Sequence, residues 1–325
     1  MSSSSRDSAR SLQNAPLPLT VSPAAREELR KPPAPQRRTL REQRALCDGV
    51  QRELGSLQLQ RYGVAMRDGE SGGVPTRIFS PAVMPPENRE CVLLNLHGGG
   101  FSKDAGSITE NVPIAALTRT TVVAARYRMA PEHPFPAAVD DAERVYRALL
   151  QEYSPDRVGL YGTSAGAVLC SQLLVRLQRN RIQLPAVLGF FTGTADLSRP
   201  GDSEHFFRPP EDDSTAQGLF APYLGGYPAD DPQVSAIFAE LSGFPPTLCV
   251  AGTRDFFLSQ TALFHQALLR NGVHSELVVF EAMPHAHWIY LDLPESTAAF
   301  EMMANFLRRY LTAQPLALAH DEIGR

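Results

Sequence analysis

The stretch that decides the fold is Tyr161-Gly162-Thr163-Ser164-Ala165-Gly166. An apolar run, Arg157-Val158-Gly159-Leu160-Tyr161, leads into it, and an amphipathic run from Ala167 through Leu169, Leu173, Leu174 and Leu177 leads away. The first run reads as a strand and the second as a helix. A serine on so sharp a strand-to-helix turn takes strained backbone angles. Gly162 and Gly166 let the chain turn and let the helix close on the strand. The hydroxyl then stands in a cleft, near the positive end of the helix. That context makes Ser164 a candidate nucleophile; the Gly-x-Ser-x-Gly pattern alone would also fit a plain loop.

Upstream, Cys91-Val92-Leu93-Leu94 reads as a short strand that runs into Leu96-His97-Gly98-Gly99-Gly100-Phe101. Consecutive glycines let backbone N–H groups converge on one point, as an oxyanion hole requires. A phosphate cradle would call for a Lys-Ser/Thr pair or a wider glycine spacing, and neither is present. Downstream, Thr247-Leu248-Cys249-Val250-Ala251 ends in Gly252-Thr253-Arg254-Asp255. That carboxylate can orient a histidine, or cap the helix expected from Leu258 to Arg270, which Asn271-Gly272 closes. The next apolar run, Leu277-Val278-Val279-Phe280, leads to a loop ending in His285. Ser164, Asp255 and His285 stand in the chain order of the α/β-hydrolase triad, not in the chymotrypsin-like or subtilisin-like order.

Thr121–Ala125 and Pro185–Phe191 read as further buried strands. Ala142, Val145, Tyr146 and Leu149 mark one helix face, and Phe300, Met303, Leu307 and Tyr310 another. Strand alternating with helix predicts a mostly parallel sheet covered on both sides. Gln58–Met66 and Val74–Phe79 read as an antiparallel pair joined through Asp68–Gly73. Leu40–Leu54 reads as an amphipathic helix with Leu40, Leu46, Val50 and Leu54 as its apolar side. Residues 198–244 break the alternation and carry Phe206, Phe207, Phe220, Tyr223 and Tyr227. These rings either line a pocket or pack the segment onto the sheet.

One further run, Tyr127-Arg128-Met129-Ala130-Pro131-Glu132-His133-Pro134-Phe135-Pro136-Ala137-Ala138, is long and specific. With His97–Phe101, the serine turn, Asp255 and His285, the chain resembles the hormone-sensitive-lipase-like (bacterial family IV) carboxylesterases of the α/β-hydrolase superfamily, over residues 55–312. The resemblance implies an α/β-hydrolase fold, a mostly parallel sheet flanked by helices, with a helical cap. It implies Ser164 as nucleophile, His285 as general acid/base and Asp255 as its orienter. Gly98, Gly99 and Ala165 would supply the oxyanion N–H groups. His97 would be structural, and Arg128 and Glu132 would support the loop beneath the site in a charge-paired network. The implied division is a tail and first cap segment over 1–54, core over 55–197, a second cap segment over 198–244, and core again over 245–325. The chain departs from the common family pattern at Thr163, where Asp is usual, at Ala167, at Arg254 and Phe256 beside the acid, and at His287, where an aromatic is usual. These positions bear on surroundings and substrate preference, not on the reaction class.

The 325 residues suffice for one large domain with an accessory cap. A net charge of -4 is too mild to point to nucleic acid or an anionic membrane surface. Lys31 and Lys103 are the two lysines among 31 basic residues, a bias towards arginine. Cys47, Cys91, Cys170 and Cys249 are scattered, with no Cys-x-x-Cys spacing, and read as free thiols in a reducing compartment. The Ser-rich start lacks an apolar core of signal-peptide length, so the expected location is cytoplasmic. The expected activity is hydrolysis of short- to medium-chain carboxylic esters through an acyl-enzyme, with a small-molecule ester as partner and no metal or cofactor. A homodimer stays open. A lactonase or an acyltransferase shares the same triad. A ligand-binding receptor on this scaffold would lose the histidine, which is present here. A metal site on His285-Ala286-His287 lacks a carboxylate cluster to complete it.

Overall fold

The computed structural model describes residues 17–31, 38–207 and 216–311. The Ser-rich start lies outside them.

Helix α1 (Pro23–Leu29) and the long helix α2 (Leu40–Tyr62) come first. A hairpin of β1 (Val64–Ser71) and β2 (Val74–Pro81) follows, then β3 (Val92–Leu96), α3 (Asn111–Thr118), β4 (Thr121–Ala125), α4 (Ala137–Leu149), β5 (Val158–Thr163), α5 (Ala165–Arg179) and β6 (Val187–Phe191). Helices α6 (Asp202–Phe207) and α7 (Ala216–Leu224) interrupt the alternation. It resumes with β7 (Thr247–Arg254), α8 (Leu258–Arg270), β8 (Ser275–Pro284), the short α9 (His287–Tyr290) and α10 (Pro294–Leu311).

The strands form one sheet in the order β1-β2-β4-β3-β5-β6-β7-β8. The β1–β2 and β2–β4 pairs are antiparallel, and every pair from β4 to β8 is parallel. Side chains alternate across a strand, and β3 shows the result. Leu94 and Leu96 enter a core shared with Val145 of α4, Leu173 of α5 and Phe264 of α8. Leu93 enters the opposite core with Ile114 of α3 and Phe300, Met303 and Leu307 of α10. In such a sheet the crevice beyond the carboxyl ends of the strands is where loops can converge. The glycine run follows β3, Ser164 follows β5, Asp255 follows β7 and His285 follows β8.

Two expectations near the N-terminus need correction. Residues 58–62 are not strand: α2 continues unbroken to Tyr62 and stops at Gly63, which takes the left-handed conformation. Thr39 opens this helix with a capping box to Glu42. Nor is its buried side the one that hydrophobicity picks out. Leu46 is exposed, and the buried stripe is Cys47, Gln51, Gly55 and Gln58. The helix lies so close to the chain at Ile108 that a Cβ on Gly55 would meet the Ile108 side chain at 2.6 Å. Gln51 is buried because it works: it donates to the Asp104 carbonyl at 2.9 Å and accepts from the Ile108 N–H at 2.8 Å.

In the 198–244 segment, Phe220 and Tyr223 of α7 are fully buried, whereas Phe206 is 42% exposed. All four cysteines are free and buried. Among the described residues no helix is long and apolar enough to cross a membrane.

Candidate active site

The serine turn is held by close backbone approach. A Cβ on Gly166 would lie 1.8 Å from the Leu96 carbonyl oxygen, and one on Gly162 would lie 2.5 Å from it. Strand β3 and helix α5 can touch there only through glycine. Ser164 itself has φ 59° and ψ -122°, far from the helix it precedes. Its N–H donates to the carbonyls of Phe191 at 3.0 Å and Thr192 at 2.8 Å. Its side chain remains half-buried and reachable.

The Ser164 Oγ lies 2.9 Å from His285 Nε2, and His285 Nδ1 lies 2.9 Å from Asp255 Oδ1. Asp255 is wholly buried, and the His285 side chain keeps 18% of its surface in solvent. Asp255 Oδ1 also accepts from the Phe257 N–H at 2.8 Å, and Oδ2 accepts from the Thr192 hydroxyl at 2.6 Å. The Asp255 carbonyl accepts from the N–H of Leu258, the first residue of α8, at 3.1 Å. The helix-cap alternative is not met: Phe257 holds the N-cap position of α8, with no side-chain cap bond, and the Asp255 carboxylate faces His285 instead. The Phe256 ring lies against the His285 ring at 4.3 Å, and Phe257 meets it edge-on at 5.5 Å.

The glycine run is braced from behind. The His97 carbonyl accepts from the Tyr127 hydroxyl at 2.6 Å. The Gly98 carbonyl accepts from the Ala105 N–H at 3.1 Å and lies 2.9 Å from His97 Nδ1. N–H and C=O point opposite ways in a trans peptide. Anchoring these carbonyls therefore turns the Gly98 and Gly99 N–H groups the other way. A Cβ on Gly98 would come within 3.4 Å of the Ser164 Cβ, so this run borders the serine. Gly99, at φ 118°, has the Lys103 carbonyl oxygen 2.0 Å from where a Cβ would stand. Ala165 is the first residue of α5, where N–H groups have no partner within the helix. His97 stacks on Tyr127 at 4.2 Å and is buried.

Beneath the turn is a buried polar chain. Thr163 donates to Glu110 and accepts from Trp288 Nε1 at 3.3 Å. Asn95 donates to Glu110 at 3.1 Å, and Asn111 donates to Asn95 at 3.0 Å. Burial pushes the Glu110 carboxyl up to about 7, against the hydrogen bonds from Thr163, Asn95 and Trp288 that favour the anion. The family's usual Asp would face this carboxyl as a second acid; Thr163 meets it as a donor.

Arg128 and Glu132 do not share one network. Arg128 pairs with Asp141 at 2.8 Å, and Glu132 pairs with Arg44 of α2 at 2.6 Å. Arg44 also donates to the Ser102 carbonyl at 2.8 Å, tying α2 to the end of the glycine run. His287 stands apart from His285. Phe280 and Trp288 meet it edge-on, and neither of its ring nitrogens bonds to another side chain. Burial lowers its pKa to about 4, against the weaker pull of the Glu295 and Pro284 backbone and the nearby carboxylates. Among the described residues no three His, Cys, Asp or Glu side chains gather as a metal site.

Thr192 is the site neighbour that sequence reading passed over. No local motif marks it; it matters because β6 lies between β5 and β7.

A family model described as the alpha/beta hydrolase fold matches residues 93–289. An acetyl-hydrolase of Streptomyces hygroscopicus is 33% identical over 236 residues, 70% of this chain and 78% of that protein. Carboxylesterase NlhH of Mycobacterium tuberculosis is 29% identical over 231 residues, 66% of this chain and 71% of that protein. The crystal structure of an esterase, E25, superposes with a TM-score of 0.80 at 31% identity, covering 91% of this chain and 96% of that one. An esterase of the bacterial hormone-sensitive lipase family superposes with a TM-score of 0.75 at 26% identity, covering 96% and 99%.

Proposed function

The chain belongs to the alpha/beta hydrolase family, in its hormone-sensitive-lipase-like branch, and is a carboxylic ester hydrolase; from that premise we propose that it cleaves small carboxylic esters through an acyl-serine on Ser164. The reading rests on one line of contacts: Ser164 Oγ to His285 Nε2 at 2.9 Å, and His285 Nδ1 to Asp255 at 2.9 Å.

Ser164 Oγ attacks the ester carbonyl carbon as its proton passes to His285 Nε2. The carbonyl π pair moves to oxygen, and the oxyanion accepts from the N–H groups of Gly98, Gly99 and Ala165. The intermediate collapses, the carbon–alkoxide bond breaks, and the alcohol leaves with the proton from His285. Water then repeats the sequence on the acyl-serine, releasing the acid and restoring Ser164. Asp255 holds His285 in orientation throughout.

Short acyl chains are the preferred class. The fully buried Phe101, Phe220 and Tyr223 rings pack together at 3.6 and 5.7 Å and hold the 198–244 segment against the glycine run, which supports a site of limited size. The similarity to an acetyl-hydrolase puts acetyl esters first among the candidates. On the same reading, α2 and the 198–244 segment form the cap over that cleft. A p-nitrophenyl ester series from acetate to palmitate tests the assignment, with acyl chains of about two to eight carbons expected to turn over fastest. An organophosphate is expected to label Ser164 alone. Label on another serine, or a sixteen-carbon preference with activation at an oil interface, would overturn this reading.

A further inference from the structure

Resting on the ester-hydrolase reading, we propose that Thr192 is a positioning residue of the triad: its hydroxyl fixes the Asp255 carboxylate and the tautomer of His285, while its carbonyl holds the backbone of Ser164. Thr192 is the first residue after β6, the strand between those that carry the serine and the acid. From that place one residue reaches both. Its carbonyl accepts from the Ser164 N–H at 2.8 Å, and its hydroxyl donates to Asp255 Oδ2 at 2.6 Å. The same oxygen lies 3.3 Å from His285 Nδ1.

A threonine hydroxyl has a single proton, and here the carboxylate takes it. The Thr192 oxygen therefore faces Nδ1 with a lone pair, as Asp255 Oδ1 does at 2.9 Å. Two acceptors at Nδ1 require that nitrogen to carry the proton. Nε2 is then left bare to receive the Ser164 hydroxyl. Asp255 is pinned at both oxygens, by the Phe257 N–H on one and by Thr192 on the other. It cannot swing as the imidazole gains charge.

The backbone argues the same way. Thr192 sits at φ 42°, in the left-handed region that a β-branched residue avoids and glycine enters freely. The next residue has no room for a side chain: a Cβ on Gly193 would meet the Ala167 Cβ at 2.8 Å. A strained threonine where glycine would fit is accounted for by what its hydroxyl does.

The test compares the wild type with Thr192→Val, Thr192→Ser and Thr192→Gly, using p-nitrophenyl acetate kinetics, thermal melts and the low-field proton resonance of His285 Nδ1–H. Thr192→Val is expected to lower kcat by about 10- to 100-fold, with KM within about threefold, and to shift or broaden the resonance. Thr192→Ser restores both. Thr192→Gly relieves the backbone, so it melts no lower than Thr192→Val yet is as slow. A Thr192→Val enzyme within about threefold of wild-type kcat with its resonance in place overturns the proposal, as does a Thr192→Ser enzyme as slow as Thr192→Val. Should Thr192→Val not fold, Ser and Gly variants of equal kcat overturn it, and a Ser variant about tenfold faster upholds it. An inactive wild type would break the ester-hydrolase reading instead, and the resonance series would then decide the role of Thr192.

Discussion

Two neighbouring parts of the candidate site are built on different principles. Its floor is a run of directional bonds: Ser164 to His285, His285 to Asp255, Asp255 to Thr192, and beneath them Thr163 to Glu110. The roof proposed for it is anchored by a fully buried run of rings: Tyr223 on Phe101 at 3.6 Å, Phe101 to Phe220 at 5.7 Å, and Phe220 to Phe257 at 6.2 Å. A hydrogen bond fails when distance or angle drifts, whereas apolar packing tolerates exchange if volume is kept. A floor substitution should therefore stop the chemistry, and a roof substitution should act through packing, on stability and, by opening space, on which ester fits.

The largest expected effect tests the floor. Ser164→Ala and His285→Ala should each lower kcat by about 10⁴-fold or more, and the double variant little further, because the groups act as a unit. Initial rates on one acetyl ester decide it; additive losses would show that the pair does not work together. The roof comes next. Phe220→Ala should cost about 3–5 kcal/mol of stability and raise the octanoate-to-acetate ratio of kcat/KM by about tenfold. If acetate turnover collapses while the ratio stays fixed, the roof is part of the chemistry and the distinction fails.

Two smaller effects sharpen the floor, and they have opposite signs. Glu110 is raised from 4.5 to about 7. The stability it lends is present below its unfolded value and is lost as pH rises through about 7, by up to about 3 kcal/mol. Glu110→Gln should remove that loss, so its melting temperature should hold between pH 5 and pH 8, where the wild type declines. His287 is lowered from 6.5 to about 4. Its share of stability is present above its unfolded value and is lost as pH falls through about 4. His287→Phe should flatten this acid limb and keep turnover, because neither ring nitrogen meets the triad. Melts of both variants across pH against the wild type check the pair; parallel curves would show that burial is not what shifts these groups.

The parts of the fold that were legible in the sequence are those with a local signature. Ser164, Asp255 and His285 each stand just past an apolar strand, so strand, turn and residue type could be read together. The α8 helix was legible for the same reason, from Leu258 to the Asn271-Gly272 stop. Thr192 was not, because its role depends on which strands lie side by side, and no stretch of sequence states that order. The face of α2 was misread for a different reason. Periodicity assumes that buried means apolar, yet Gln51 and Gln58 are buried polar residues, and Leu46 points outward. The partners of Glu132 and Arg128 were likewise out of reach, since Arg44 lies 88 residues from the carboxylate it meets.

The anchoring of the glycine run has a bearing on how such a site can diversify. Its amide groups belong to the main chain, and what aims them lies largely elsewhere: the Tyr127 hydroxyl on the His97 carbonyl, and the Ala105 N–H on the Gly98 carbonyl. The Lys103 side chain takes no part in that aim: its Nζ donates to Gln43 of α2 at 3.3 Å. Mutation can try new residues there, against new leaving groups, without disturbing the dipoles proposed to meet the developing charge. Innovation in substrate is thereby uncoupled from the maintenance of reactivity, within a few residues of the same loop.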